Sequence, residues 1–168
     1  CFLLRAEEDT REEWANVTWR AMSCLMTGGG IGVDYSRLRP SGRILQRTGG
    51  KASGPIPLMY GINELGRQIM QGGSRRSAIC ASLDSKHEDI PLFLRAKNWE
   101  DQQCGTSGLS LKQMKEQDFN FPAPLDMTNI SVNYDDSAGL LTGNPVFLET
   151  CLQAMKTGEP GFSFNFGD

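Results

Sequence analysis

The chain has 168 residues, enough for one domain, and 39% of them are hydrophobic, so a core can be buried. A formal charge of −3 lacks the basic excess that sequence-independent nucleic-acid binding needs, and no apolar run approaches the ~18 residues of a membrane span. Five scattered cysteines, no Cys-x-x-Cys pair and one histidine exclude a zinc module and a disulfide scaffold, and fit a reducing cytoplasm.

The first residue is Cys1, not Met, which makes an internal piece of a longer chain the simpler expectation. Residues 1–6 read as a short buried strand. A helix then opens at Asp9-Thr10. Thr10 and Glu13 have capping-box spacing, and Trp14, Val17, Ala21 and Leu25 recur at the helical period. Gly28-Gly29-Gly30 ends it. Residues 31–35 are a second strand, and residues 36–55 read as one long loop, a length that is unusual unless it is functional. A helix over 57–70 places Leu58, Ile62, Leu65 and Ile69 on one face. A glycine-rich basic loop, 71–76, leads to a strand over 77–83. His87-Glu88-Asp89-Ile90-Pro91 enters a short helix reaching Lys97, with proline in the first turn. Residues 99–124 are polar and irregular, with a short helix at 112–117. Residues 127–134 form a strand. Asn144 caps a last helix that ends at Gly158, with Phe147, Leu148, Cys151, Leu152 and Met155 as its apolar positions. Residues 162–166 alternate as a strand. Strand and helix alternate throughout, so the fold class is α/β, built of parallel β/α units.

Two loops carry the chemistry. Residues 37–51 and 72–76 combine glycine with Arg or Lys, the usual equipment for phosphate: bare N–H groups approach the anion and guanidinium forks grip it. Neither is a P-loop, and no GxGxxG follows a strand. Taken singly, each also reads as a glycine-rich turn with solvated arginines.

In order along the chain, the two loops and their flanks are more specific. Gly28-Gly29-Gly30-Ile31-Gly32-Val33-Asp34-Tyr35-Ser36-Arg37-Leu38-Arg39-Pro40 resembles the catalytic subunit of ribonucleotide reductases. So do Thr48-Gly49-Gly50-Lys51-Ala52-Ser53-Gly54-Pro55, Gln71-Gly72-Gly73-Ser74-Arg75-Arg76, and His87 through Lys97. The resemblance is dense over 1–97, resumes at Asn129-Ile130-Ser131-Val132, and is absent over 98–126, a divergent or inserted stretch.

The resemblance implies part of a ten-stranded α/β barrel, with residues 1–168 supplying its first half. It implies that Cys1 is one of two cysteines that reduce the ribose and become a disulfide; the plain reading of Cys1 is a small hydrophobe in a strand. Gly29 and Gly30 correspond to backbone close to substrate, and Arg75 to a substrate contact. Asp9 corresponds to the acid that holds the sugar hydroxyl of an allosteric deoxynucleotide, a role compatible with helix capping. Arg39 and the residues after it, including Lys51, resemble the first specificity loop. Gly72, Gly73, Ser74 and Arg76 resemble the second, whose glycines permit alternative conformations. His87 is expected to be structural.

The family's radical cysteine lies in an Asn-x-Cys-x-Glu segment that this sequence lacks. That segment, the second reducing cysteine and the substrate-phosphate loops are expected in the remainder of the enzyme. The wording of 28–40 and 48–55 is closest to adenosylcobalamin-dependent members, and a class with a separate radical subunit stays open. The implied partners are a ribonucleotide substrate, a deoxynucleotide or ATP effector, a thioredoxin-like reductant and a second copy of the chain, with no nucleic acid and no membrane. A non-catalytic nucleotide-binding module and a split-gene piece remain as alternatives.

Overall fold

The computed structural model describes residues 1–46, 48–69, 76–105, 108–139 and 141–167. Strands β1 (Phe2–Arg5), β2 (Ile31–Asp34), β3 (Ile79–Asp84), β4 (Thr128–Asp135) and β5 (Gly161–Asn165) form one sheet in chain order. Every neighbouring pair is parallel. Helices α1 (Arg11–Met26), α2 (Pro55–Gln68), α3 (Ile90–Arg95), α4 (Leu111–Gln117) and α5 (Pro145–Thr157) lie in the connections. Parallel neighbours need a crossover between each pair of strands, and α1, α2 and α3 pack with the buried side chains of the sheet. A sheet wound steadily in one direction is a barrel wall, not a doubly wound sheet.

The strands alternate accordingly. Ile31, Val33, Ile79, Ala81, Leu83, Ile130 and Val132 are buried beneath the helices, while Asp34, Cys80, Ser82, Asp84, Ser131 and Asn133 are half-buried on the open face. The helix face of the sheet meets Trp14, Val17, Ala21 and Leu25 of α1, as their spacing predicts. Each such side chain contributes about 1.5–3 kcal/mol on burial. Trp14 also stacks on Tyr35, with ring centroids 5.9 Å apart.

Several expectations are corrected. Residues 1–6 form an exposed strand: Phe2 and Leu3 are 53% and 77% exposed, because β1 has a neighbour on one side only. Thr10 caps α1 by accepting from the Glu13 N–H, but the Glu13 carboxylate accepts from the Glu7 N–H, so the capping box is half made. The stretch 36–55 contains a small hairpin, with Ile44 bridging Lys51 and the Leu45 N–H donating to the Gly50 carbonyl. The expected face of α2 is kept in part, with Ile62 buried and Leu58 and Ile69 packed at its margin, but its buried centre is Met59, Ile62, Asn63 and Gly66. Asn63 turns the helix inward because its carbonyl accepts from the Met127 N–H and the Thr128 hydroxyl. On α5 the buried residue is Thr150, bonded to the Tyr134 hydroxyl at 2.7 Å. Leu148, Leu152 and Met155 face outward.

Candidate functional site

The β1–α1 turn and the segment after β2 are strapped together by charge. Asp9 precedes the α1 cap. Its Oδ2 accepts from Arg39 Nε at 2.6 Å and from the Arg39 backbone N–H at 3.2 Å, and its carbonyl accepts from the Arg39 guanidinium at 2.7 Å. Its Oδ1 accepts from the Trp14 indole N–H at 3.1 Å, which leaves one acceptor direction on Oδ1 for a ligand hydroxyl. Arg37 reinforces the strap by donating to the Glu7 carbonyl and carboxylate.

Two clefts flank the Asp9–Arg39 pair. One, ≈ 760 Å³, is lined by Arg43, Leu45, Gln46 and Thr48 beside the pair. The other, ≈ 460 Å³, adds Trp14, Leu38, Lys51 and Ser53. Arg39 is neutralised by Asp9, whereas the side chains of Arg43 and Lys51 make no ion pair or hydrogen bond among the described residues. The clefts therefore carry excess positive charge that fits a phosphate chain. The structure brings Asp9, Arg39 and Lys51 together and adds Arg43. The sequence signal for Arg43 was its place within the 37–51 loop.

His87 braces this region. Its Nε2 lies 2.7 Å from the Leu38 carbonyl, its Nδ1 accepts from the Asp89 N–H, and Asp89 in turn accepts from the Ser41 N–H at 2.8 Å. Gly54, at φ +77°, allows this approach, since a Cβ there would sit 2.5 Å from the Asp89 carboxylate.

Cys1, Gly29 and Gly30 group at the other ends of the strands. Cys1 is exposed, and a Cβ on Gly30 would lie 3.2 Å from its Sγ and 3.3 Å from the Ala78 Cβ. A Cβ on Gly29 would lie 2.8 Å from the Phe2 ring. The glycines thus let the thiol and the first strand settle directly on the β2 backbone. Cys80 lies on the open face two strands from Cys1. Burial pushes its thiol pKa up, against a hydrogen bond to Ser131 that lowers it. With strands about 4.8 Å apart, two steps exceed the reach of a disulfide, so Cys80 is not a partner for Cys1.

Arg76 lies at the Cys1 end, its guanidinium 4.1 Å above the centroid of the Phe119 ring. Gly72, Gly73, Ser74 and Arg75 lie outside the described residues. Among the described residues, no helix is long and apolar enough to cross a membrane.

Fold and site together define an α/β-barrel protein with a cation-lined cleft beyond one end of its strands and a thiol at the other. Residues 1–120 match the family model for the ribonucleotide reductase barrel domain, and the chain belongs to that family. It is similar to the vitamin B12-dependent ribonucleoside-diphosphate reductase of Mycobacterium tuberculosis, 37% identical over 97 residues. That match covers 58% of this chain and 14% of the relative. The large subunit of the vaccinia virus reductase is 36% identical over 98 residues, covering 58% and 13%. The chain therefore spans a small part of the length of the curated relatives it matches. Among solved structures, the class Id ribonucleotide reductase alpha subunit of Actinobacillus ureae superposes with a TM-score of 0.66 at 15% identity. It covers 96% of this chain and 26% of that one, a likeness of fold.

Proposed function

We propose that residues 1–168 form the first half of a ribonucleotide reductase catalytic barrel, with 98–126 as a divergent stretch, and that the complete protein removes the 2′-hydroxyl of ribonucleotides. The observation that carries this role is the exposed Cys1 thiol seated on Gly30 at the ends of the strands. In the proposed reaction the C2′–O bond breaks and the hydroxyl leaves as water. Cys1 and a second thiol outside this chain supply two electrons and two protons and become a disulfide. A thioredoxin-like dithiol then restores them by exchange. Gly29 and Gly30 keep the backbone bare beside the sugar, and Arg75 touches the substrate. The names of the two relatives support a ribonucleoside diphosphate as substrate.

The proposed effector, a deoxynucleoside triphosphate or ATP, lies in the Asp9–Arg39 cleft. Asp9 accepts from its sugar hydroxyl, and Arg39, Arg43 and Lys51 meet its phosphates. Gly72, Gly73, Ser74 and Arg76 belong to the loop that relays the effector's identity to the substrate site. A second copy of the chain is supported by the exposed stripe Trp19, Met22 and Met26 on α1. The proposed compartment is the cytoplasm.

The name of the Mycobacterium tuberculosis relative supports adenosylcobalamin as the radical source. When bound, it would supply the initiating radical. The residues described here do not themselves fit it as a ligand set: both ring nitrogens of His87, the one histidine, are held in hydrogen bonds within the fold.

The test is Cys1→Ser in the complete enzyme. Steady-state turnover with a dithiol reductant is expected to be abolished while effector affinity is kept. Unchanged steady-state turnover refutes the redox role.

A further inference from the structure

The segment that carries Arg39 is held at two places. Asp9 holds Arg39 itself, through the guanidinium and the backbone N–H. The turn between β3 and α3 holds its neighbours. His87 Nε2 meets the Leu38 carbonyl at 2.7 Å, and Asp89 Oδ2 accepts from the Ser41 N–H at 2.8 Å. The Ser36 hydroxyl, earlier in the same segment, accepts from the Asp84 N–H at 2.9 Å. Asp89 is buried, and its place is fixed from within the turn, since its own N–H donates to His87 Nδ1 at 3.1 Å. One imidazole thus ties both halves of the clamp together.

The two bonds assign the ring's protons. A carbonyl only accepts, so Nε2 donates to Leu38; a backbone N–H only donates, so Nδ1 must be bare to receive the Asp89 amide. Only the neutral ring satisfies both. An imidazole is the side chain whose charge changes between about pH 5 and 8. A proton added at Nδ1 would face the Asp89 N–H, donor against donor, and leave that amide without its acceptor. Charged groups surround the ring with both signs. Arg37, Arg39 and Arg43 line a cleft beside it from the segment after β2, and Asp84, Lys86 and Glu88 line it from the turn, with Asp89 next to them. Arg37, Arg39 and Lys86 are paired with Glu7, Asp9 and Asp135, and Arg43 and Glu88 are exposed. Paired and solvent-facing charges are screened, so the direct hydrogen bond decides what a proton does here.

We infer that His87 and Asp89 are positioning residues for the effector cleft, and that the cleft holds a nucleoside triphosphate less tightly in acid, when the His87 ring takes up a proton. The inference rests on the assignment of the Asp9–Arg39 cleft to an effector. His87 and Asp89 line neither of the two clefts that flank the pair, so they act through the backbone of Leu38 to Ser41. While the ring is neutral, that backbone is held on either side of Arg39, and the chain that leads to Arg43 is preorganised for an anion. Protonation frees the Asp89 amide, Asp89 loses its fixed place, and the Ser41 N–H loses its anchor.

The experiment is isothermal titration of deoxythymidine triphosphate into the complete enzyme at about pH 8 and about pH 6, a span over which imidazole changes charge. It compares wild type, His87→Gln, His87→Asn and Asp9→Ala, with Tm recorded for each. Glutamine keeps a donor for the Leu38 carbonyl and asparagine keeps an acceptor for the Asp89 N–H, but neither takes up a proton. The ligand's phosphates also titrate in this range, equally for every protein, so the reading is the excess change in wild type. Wild type is expected to lose about five- to tenfold more affinity between the two pH values than either His87 variant, the scale of one lost hydrogen bond. Equal pH ratios in wild type and both variants overturn the inference, as do variants that match wild type at both pH values. Asp9→Ala separates the two readings. If it binds as tightly as wild type, the cleft assignment fails and the inference with it; if it binds more weakly while the pH ratios are equal, only the clamp is refuted.

Discussion

Asp126→Asn is the perturbation with the sharpest physical signature. Burial pushes the Asp126 carboxyl up, but hydrogen bonds from Arg67, Lys115 and Asn63 outweigh it and hold the group at about 2, below the usual 3.8. A carboxyl depressed on folding stabilises the protein above its unfolded pKa and loses that contribution as pH falls toward its folded one. The contribution is about 1–2 kcal/mol at neutral pH, discounted because both cations keep some contact with solvent. Asparagine keeps the shape and removes the charge. Arg67 retains Glu64 and Lys115 retains the Phe119 carbonyl, so the full cost of orphaning a buried charge is not incurred. We expect a loss of about 2–3 kcal/mol, or roughly 5–10 °C in Tm for a chain of this size. Urea denaturation of wild type and variant measures it. The gap should be full at neutral pH and shrink below about pH 4, as the unfolded wild-type carboxyl takes up its proton. Equal midpoints at neutral pH, or a gap that persists undiminished into acid, would refute the reasoning.

Arg43→Ala should weaken deoxynucleoside triphosphate binding about tenfold, the scale of one charge-assisted contact, without loss of Tm, because the Arg43 side chain makes no ion pair or hydrogen bond among the described residues. Isothermal titration decides it, and unchanged affinity would remove Arg43 from the effector cleft. Gly30→Ala should lower reductase turnover more than effector affinity, since its Cβ presses on Cys1 Sγ at 3.2 Å and Ala78 at 3.3 Å. The overpacking should also cost about 1–2 kcal/mol. Wild-type turnover in that variant would show that the thiol's seat on β2 is not needed.

The α/β order was legible because two periods were clean. Trp14, Val17, Ala21 and Leu25 mark α1 at the helical period, and Ile79, Ala81 and Leu83 alternate with Cys80, Ser82 and Asp84 on β3. What failed was set by tertiary context. Asn63 is buried on α2 because two groups at the start of β4 need its carbonyl, which no helical pattern reveals. The outward turn of Leu148, Leu152 and Met155 follows from the Thr150–Tyr134 bond. The short helix expected at 112–117 is present as α4, held by a reciprocal Ser110–Gln113 box and by the Lys115–Asp126 pair, of which only the box is local in sequence. At the candidate site, Asp9, Arg39 and Lys51 were proposed through resemblance, and the Asp9–Arg39 pair and the place of Lys51 in the adjoining cleft required the fold. Phe119 carried no signal at all, since it lies where the family pattern is absent and Arg76, over its ring, is distant in sequence.

The most direct measurement is a single turnover of the complete enzyme without external reductant, followed by alkylation of free thiols and peptide mass spectrometry. The proposed role predicts that Cys1 becomes protected in a disulfide, in proportion to the deoxynucleotide formed, and that a dithiol restores its alkylation. Product formed while Cys1 remains fully alkylated would contradict it.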